Sequence, residues 1–428
     1  MLALHYRRSV PRFVAAKLVG KRYPSIVTGV ASAIHLEDVP EPKLPTAQWV
    51  RVRPLLSGIC GSDVAVITAE GTPYLSELVS FPFVPGHELV GEIVEVGGQV
   101  SGLAVGQRVV LEPALGCRVR GFAEPCAPCR AGYYAACERV MDGDISSGIQ
   151  TGFCRDTGGG WGPSLVAHQS QLYPVPGALS NEAAVLVEPL ACAIHAVLRS
   201  GLRSTVVASD PSPIGTQKRT EENRTPLVLV LGCGTIGLLT IAALRAFAPE
   251  CTIVAVAKYP HQQALARDLG AEHVVPSGDS AYARLQDLTG AKLLKLPWGK
   301  PNVLGGVEAS FVCIGSASAW EDALRWTRAR GTVVMVGMPG EPKADLTPLW
   351  YKELSVLGAY AYGAEQYGEG QVSTFRLALD MLARQGWGER LAQLVRHKFP
   401  LPRYREAFAT AMHAGEHQSV KVVFDQTG

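Results

Sequence analysis

Several absences narrow the reading of this 428-residue chain before any motif is considered. It has no excess charge: the net charge is +2 and charged residues make up 18%, so no chain-wide field favours nucleic acid or an anionic membrane. A small neutral or weakly charged substrate fits better. No apolar run approaches the roughly 20 residues of a membrane span. The opening "MLALHYRRSVPRFVAAKLVGKRYPS" places arginines and prolines where a signal peptide needs an unbroken apolar stretch. Internal repeats and low-complexity tracts are also missing. The ten cysteines are too sparse for a secreted disulfide scaffold, and half fall in ligand-like contexts, which predicts a reduced, cytoplasmic, metal-binding chain.

The length suits two domains. In the first half, short alternating runs such as "LVGEIVEVG" (89–97) and "QRVVLEP" (107–113) predict an antiparallel, barrel-like β domain. From about 225 the pattern becomes apolar strands, "LVLVLG", "CTIVAVA", "EHVV", "VEASFVCIG", "GTVVMVG" and "LSVLGAY", separated by helical stretches such as 236–248 and 317–329. That alternation predicts a parallel α/β sheet. The segments 204–224 and 291–306 interrupt the pattern and read as surface loops. A helix-like stretch after 362 leads to a closing strand, "SVKVVF".

"PLVLVLGCGTIGLLTIAAL" sets Gly232, Gly234, Thr235, Ile236 and Gly237 in G-x-G-x-x-G form between a strand and a helix. Glycines there permit a tight turn and close approach of a pyrophosphate to the helix N-terminus. Some 20 residues on, where a carboxylate would bind ribose hydroxyls, the chain has Ala257 followed by Lys258. With no carboxylate to repel a 2′-phosphate, and with Lys258 or His261 able to pair with one, NADP(H) is favoured over NAD(H).

Cys60 in "SGICGSD" and His87 in "VPGHELVG" offer a thiolate and an imidazole, a zinc donor set if the fold unites them. Glu88 adjoins His87, and Glu188 precedes an apolar helix, where a carboxylate is costly to bury unless it ligates or pairs. His195 reads as a core residue, and Trp161 as either pocket wall or packing. Further on, "CAPCRAGYYAAC" carries Cys126, Cys129 and Cys137 at zinc-loop spacing without the Lys and Arg clusters of a nucleic-acid ribbon.

Taken together, "CGSD", "GHELVGEIVEVG", the cysteine loop, "EPLACAIHAV", "GCGTIG" and "GTVVMVG" resemble the zinc-dependent medium-chain alcohol dehydrogenase superfamily, in particular its polyol and threonine dehydrogenase branch, over about residues 25–425. The resemblance implies a GroES-like antiparallel β-barrel catalytic domain (1–195), a Rossmann doubly wound cofactor domain (196–361) and a return to the catalytic domain (362–428), with the active site between the two. It implies a catalytic zinc on Cys60, His87 and Glu188, with Glu88 as neighbouring or occasional ligand and Ser62 touching the substrate hydroxyl. Many relatives continue the proton relay with a histidine three residues after that serine; here the position is Ala65. A structural zinc is implied on Cys126, Cys129, Cys137 and a fourth cysteine. Those three match the family's second, third and fourth ligands; the usual first would fall at Ala123, so Cys117 becomes the candidate, with the extra residues "RVRGFA" looping out. Dimers or tetramers are common in the family.

The expected activity is hydride transfer between a secondary alcohol or polyol and a nicotinamide cofactor. The largely apolar segment 64–83 favours a secondary alcohol, diol or modified polyol. Competing readings are a zinc-independent quinone or enoyl reductase on the same scaffold and a non-catalytic NADP-binding redox sensor.

Overall fold

The computed structural model describes residues 1–20, 25–202, 225–278, 280–341, 343–384 and 386–427; the expected loop at 204–224 lies outside the described residues. The chain forms two compact units. One comprises Met1–Glu188, Tyr362–Ala364 and Val372–Gly428, and the other Pro189–Ala361 and Glu365–Gln371.

In the second unit, six strands form one parallel sheet: Leu227–Leu231, Thr252–Ala257, His273–Pro276, Val307–Val312, Thr327–Met335 and Ser355–Gly358. Numbered along the chain, their spatial order is 3-2-1-4-5-6, the doubly wound arrangement whose order reverses beside the first strand. Strands such as LVLVL and TIVAVA are apolar at nearly every position because helices cover both faces of such a sheet. Two sequence expectations shift. The helix expected over 317–329 stops at Trp326, because the strand takes over at Thr327, which pairs with Val307. The loop expected at 291–306 contains an antiparallel hairpin, Lys292–Leu294 with Asn302–Leu304, that buries Val303.

In the first unit, the strand Trp49–Gly58 is the hub of a seven-stranded sheet. It pairs antiparallel with Leu89–Val96, Leu165–His168 and Lys421–Asp425. The last pair closes the unit across the whole chain. The register sets Ser57 opposite Leu89 and Gly58 opposite Val423. Beyond the ladder, Gly58 N–H donates to Glu88 O (2.7 Å) and Ile59 N–H to Val422 O (2.9 Å). The ends of three strands therefore meet at one point: Cys60 leaves one, His87 and Glu88 enter another, and Lys421 begins the third. The strand Val395–Phe399 runs parallel to Lys421–Asp425, the exception in an otherwise antiparallel sheet. Among the described residues, no helix is long and apolar enough to cross a membrane.

Candidate metal and cofactor sites

Cys60 precedes the short helix Gly61–Ile67, and its backbone N–H donates to Asp63 Oδ2 (3.0 Å). Ligand atoms of Cys60, His87 and Glu88 lie within 4.8 Å of one another. His87 and Glu88 are buried and Cys60 is half-buried. A thiol, an imidazole and a carboxylate in one enclosed spot make a borderline-soft donor set suited to zinc. Glu188, at the start of the helix Val187–Arg199, is buried but lies outside the 4.8 Å group. Its pKa is pushed up to about 8, first by burial and then by Glu88 and Asp63, against the pull of His87 and Lys421. A site that crowds Glu188 with Glu88 and Asp63, and Glu88 with Cys60, favours a cation. Ser62 is half-buried in the helix Gly61–Ile67, as is Ala65, which has no proton to pass on.

Two groups here escape sequence reasoning. Asp63 is buried with Oδ1 3.5 Å from His87 Nδ1. Burial alone pulls the imidazole pKa down, but Asp63 and Cys60 outweigh it and the net shift is well upward. A carboxylate beside one ring nitrogen is how proteins aim the other nitrogen at a metal. Its position in "CGSD" was visible; its partner was not. Lys421 is fully enclosed, pairs with Glu88 and donates to Ile59 O (3.2 Å). Nothing in the sequence connects residue 421 to residue 88, since strand register alone brings them together. Gly58 makes room for the pair: a Cβ there would sit 2.2 Å from Glu88 Oε2.

The four sulfurs of Cys117, Cys126, Cys129 and Cys137 also lie within 4.8 Å of one another, and all ten cysteines are free thiols. Cys117 Sγ is 3.6 Å from Cys137 Sγ. Backbone N–H groups of Cys126, Cys117 and Arg139 point at the sulfurs of Cys117, Cys129 and Cys137 (3.3, 3.5 and 3.4 Å), an arrangement that stabilises thiolates. The Cys137 thiol is drawn down to about 5, chiefly by its Cys129 neighbour. The extra residues after Cys117 do not simply loop out. Val119 and Arg120 turn inward, and the fully buried Arg120 guanidinium donates to the carbonyls of Leu115, Asp142, Ile145, Ser146 and Gly148. A planar five-donor fork is the side chain able to satisfy so many carbonyls at once.

In the second unit, Gly232 has φ +91° and Gly234 caps the helix Thr235–Phe247. A Cβ on Gly237 would lie 1.8 Å from Gly232 O, so only glycine fits. Thr235 and Ile236 form the half-buried first turn. Lys258 is exposed just past the strand Thr252–Ala257, and Tyr259 and His261 stack beside it (centroids 5.8 Å apart). His195 is a buried core residue with Nδ1 2.7 Å from Glu365 Oε1. Trp161 is packing: it is fully buried against Phe408 and Phe424, and Nε1–H donates to Gly58 O (3.1 Å).

The sequence profile described as alcohol dehydrogenase GroES-like domain matches residues 46–177, and that described as zinc-binding dehydrogenase matches residues 235–386. The chain is 31% identical to the L-idonate 5-dehydrogenase of Vitis vinifera over 381 residues, covering 88% of this chain and 87% of that protein. It is 30% identical to a sorbitol dehydrogenase of Arabidopsis thaliana, covering 88% of each. Among solved structures, the 2R,3R-butanediol dehydrogenase of Bacillus subtilis superposes with a TM-score of 0.65 at 26% identity, covering 92% of this chain and 96% of that one.

Proposed function

Because the chain belongs to the zinc-dependent medium-chain alcohol dehydrogenase superfamily, we propose that it transfers hydride between a secondary alcohol or polyol and NADP(H). In this reading Cys60, His87 and Glu188 hold a catalytic zinc, with Glu88 beside it, and Cys117, Cys126, Cys129 and Cys137 hold a structural one. The observation that carries it is the buried grouping of Cys60, His87 and Glu88 at the junction of three strands. Relatives named for idonate, sorbitol and butanediol support a polyol or diol substrate. A zinc-independent reductase has no use for these donors held together in one enclosed spot.

Zinc bound there supplies Lewis acidity toward an alcohol or carbonyl oxygen. The chain's own groups do the rest. Asp63, with Oδ1 3.5 Å from His87 Nδ1, sets a carboxylate charge on the Nδ1 side of the ring and leaves Nε2 for the metal. Lys421 balances the Glu88 charge and holds that carboxylate in place. The Ser62 hydroxyl passes the substrate proton outward, and with Ala65 next in line the relay continues to water. At the nucleotide, the Gly232–Gly237 turn takes the pyrophosphate on the helix N-terminus, and Lys258 faces a 2′-phosphate where a carboxylate would reject it. The proposal extends to a cytoplasmic homodimer or homotetramer, as the family resemblance implies.

Elemental analysis tests the metals: about two zincs per chain, falling to about one in Cys60→Ala and in Cys117→Ala, with turnover lost in the first. NADP+ reduction is then followed with sorbitol, butanediol and simple secondary alcohols. A metal-free chain inactive on all of them overturns the reading. Lys258→Asp should move the kcat/KM preference toward NAD by at least about tenfold; an unchanged ratio would remove the NADP assignment alone.

A further inference from the structure

The helix Val10–Val19 is inserted in the hairpin that pairs Leu2–Tyr6 with Ile34–Asp38, and it is built inside out. Among the described residues its inward face is small or polar. Ala16 is buried, and Arg12 donates to Ser32 O and contacts His35 Nε2 (both 2.9 Å). Its outward arc is apolar: Val10 (67% exposed), Phe13, Val14 (45%) and Leu18 (77%), with Pro11 and Lys17 on the same side. At 100° per residue, positions 10, 13, 14, 17 and 18 fall within a little under half a turn of the helix. A surface helix normally turns such a stripe toward the core, so this one is arranged for something outside the unit.

Charge identifies the occupant. Residues 1–36 carry six Lys and Arg and no Asp or Glu, although the whole chain is nearly neutral. Arg7 and Arg8 are offset by Glu37 and Glu77, but Lys17 sits exposed within the apolar arc, its ammonium over the Phe13 ring at 5.9 Å. A second copy of the chain seated on this face across a two-fold axis would set basic segment against basic segment. An anionic lipid headgroup layer complements both features: apolar side chains enter the acyl boundary while Lys17 remains among the phosphates. We propose that the outward face of the Val10–Val19 helix is a docking surface for an anionic phospholipid bilayer, holding the enzyme at the membrane surface without spanning it.

The test is co-sedimentation of the full zinc-loaded chain with vesicles of phosphatidylcholine alone or with about 30% phosphatidylglycerol. Binding is expected to the anionic vesicles only, weakening as salt rises from about 0.05 to about 0.5 M. Val14→Asp/Leu18→Asp should lower vesicle affinity at least about tenfold while turnover and thermal unfolding stay at wild-type values. No pelleting of wild type at low salt, or equal pelleting of the double variant, overturns the proposal. So does a wild-type dimer in solution that the double variant converts to monomer without any vesicle binding, which would make the face a contact between copies.

Discussion

An ammonium fully enclosed by protein persists only beside a fixed counter-charge, and for Lys421 that charge is Glu88. Removing one partner strands the other, so Lys421→Met should cost about 3 to 5 kcal/mol in urea unfolding, while Glu88→Gln/Lys421→Met costs clearly less than the two single changes together. Additive single effects would mean the pair is not coupled. Burial alone depresses the lysine, but Glu88 and Cys60 prevail and its pKa is raised above the ordinary 10.5. The stabilisation is therefore complete below that pH and lost as pH climbs through the higher folded value. Glu112 gives the same direction of pH dependence, but through its neutral form. It is buried under the hydroxyls of Tyr134 (3.2 Å) and Tyr173 (2.9 Å), and burial pushes its pKa from 4.5 to about 8. The native carboxyl keeps a proton that the unfolded chain has released, so stability should fall by up to about 4 kcal/mol between pH 4.5 and about 8. Glu112→Gln, which retains a neutral acceptor for both tyrosines, should flatten that fall; an unchanged slope would assign it to another group.

At the scale of elements, what was legible followed from periodicity and short spacing. The six apolar runs became the parallel sheet because a strand buried on both faces needs no alternation. The glycine turn fell between strand and helix because both flanks were strongly patterned. What escaped depended on distant partners. The Asp63 contact with His87 and the Lys421 pair with Glu88 are products of register, and the outward stripe of the Val10–Val19 helix has the same sequence pattern as an inward one. The stretch after Cys117 is the instructive error. Expected to loop out, it instead sends Arg120 inward to five carbonyls contributed by residues 115 and 142–148. Arg120 thus ties the cysteine loop to the following segment independently of the thiols. Arg120→Ala should lower stability by about 3 kcal/mol in thermal or urea unfolding, because it orphans several buried acceptors together. Lysine, a point donor without the planar fork, should recover little of the loss. A variant with wild-type unfolding would show that water replaces the guanidinium.

For the molecule as a whole, the two compact units have separate cores, and the two kinds of ligand divide between them. All seven candidate metal ligands belong to the first unit, and the glycine turn belongs to the second. Calorimetry of the loaded protein should therefore resolve two transitions. Stripping zinc with a strong chelator should lower one by about 10 °C or more, because a four-thiolate site contributes its binding free energy directly to folding. The other should hardly move. NADP at about 100 times its dissociation constant should do the reverse, adding about 2.7 kcal/mol to the second unit alone. The order of metal loss should also separate the sites. Each site has one half-buried cysteine, Cys60 or Cys129, but a reactive zinc keeps one coordination position open while a four-thiolate site is closed, so turnover should vanish with the first zinc released, before the sensitive transition has moved far. Activity persisting until the second zinc leaves would put the reactive metal in the cysteine loop and reverse the assignment of the two sites. A single transition shifted equally by chelator and NADP would show instead that the units unfold as one, with metal and nucleotide stabilising the same cooperative body.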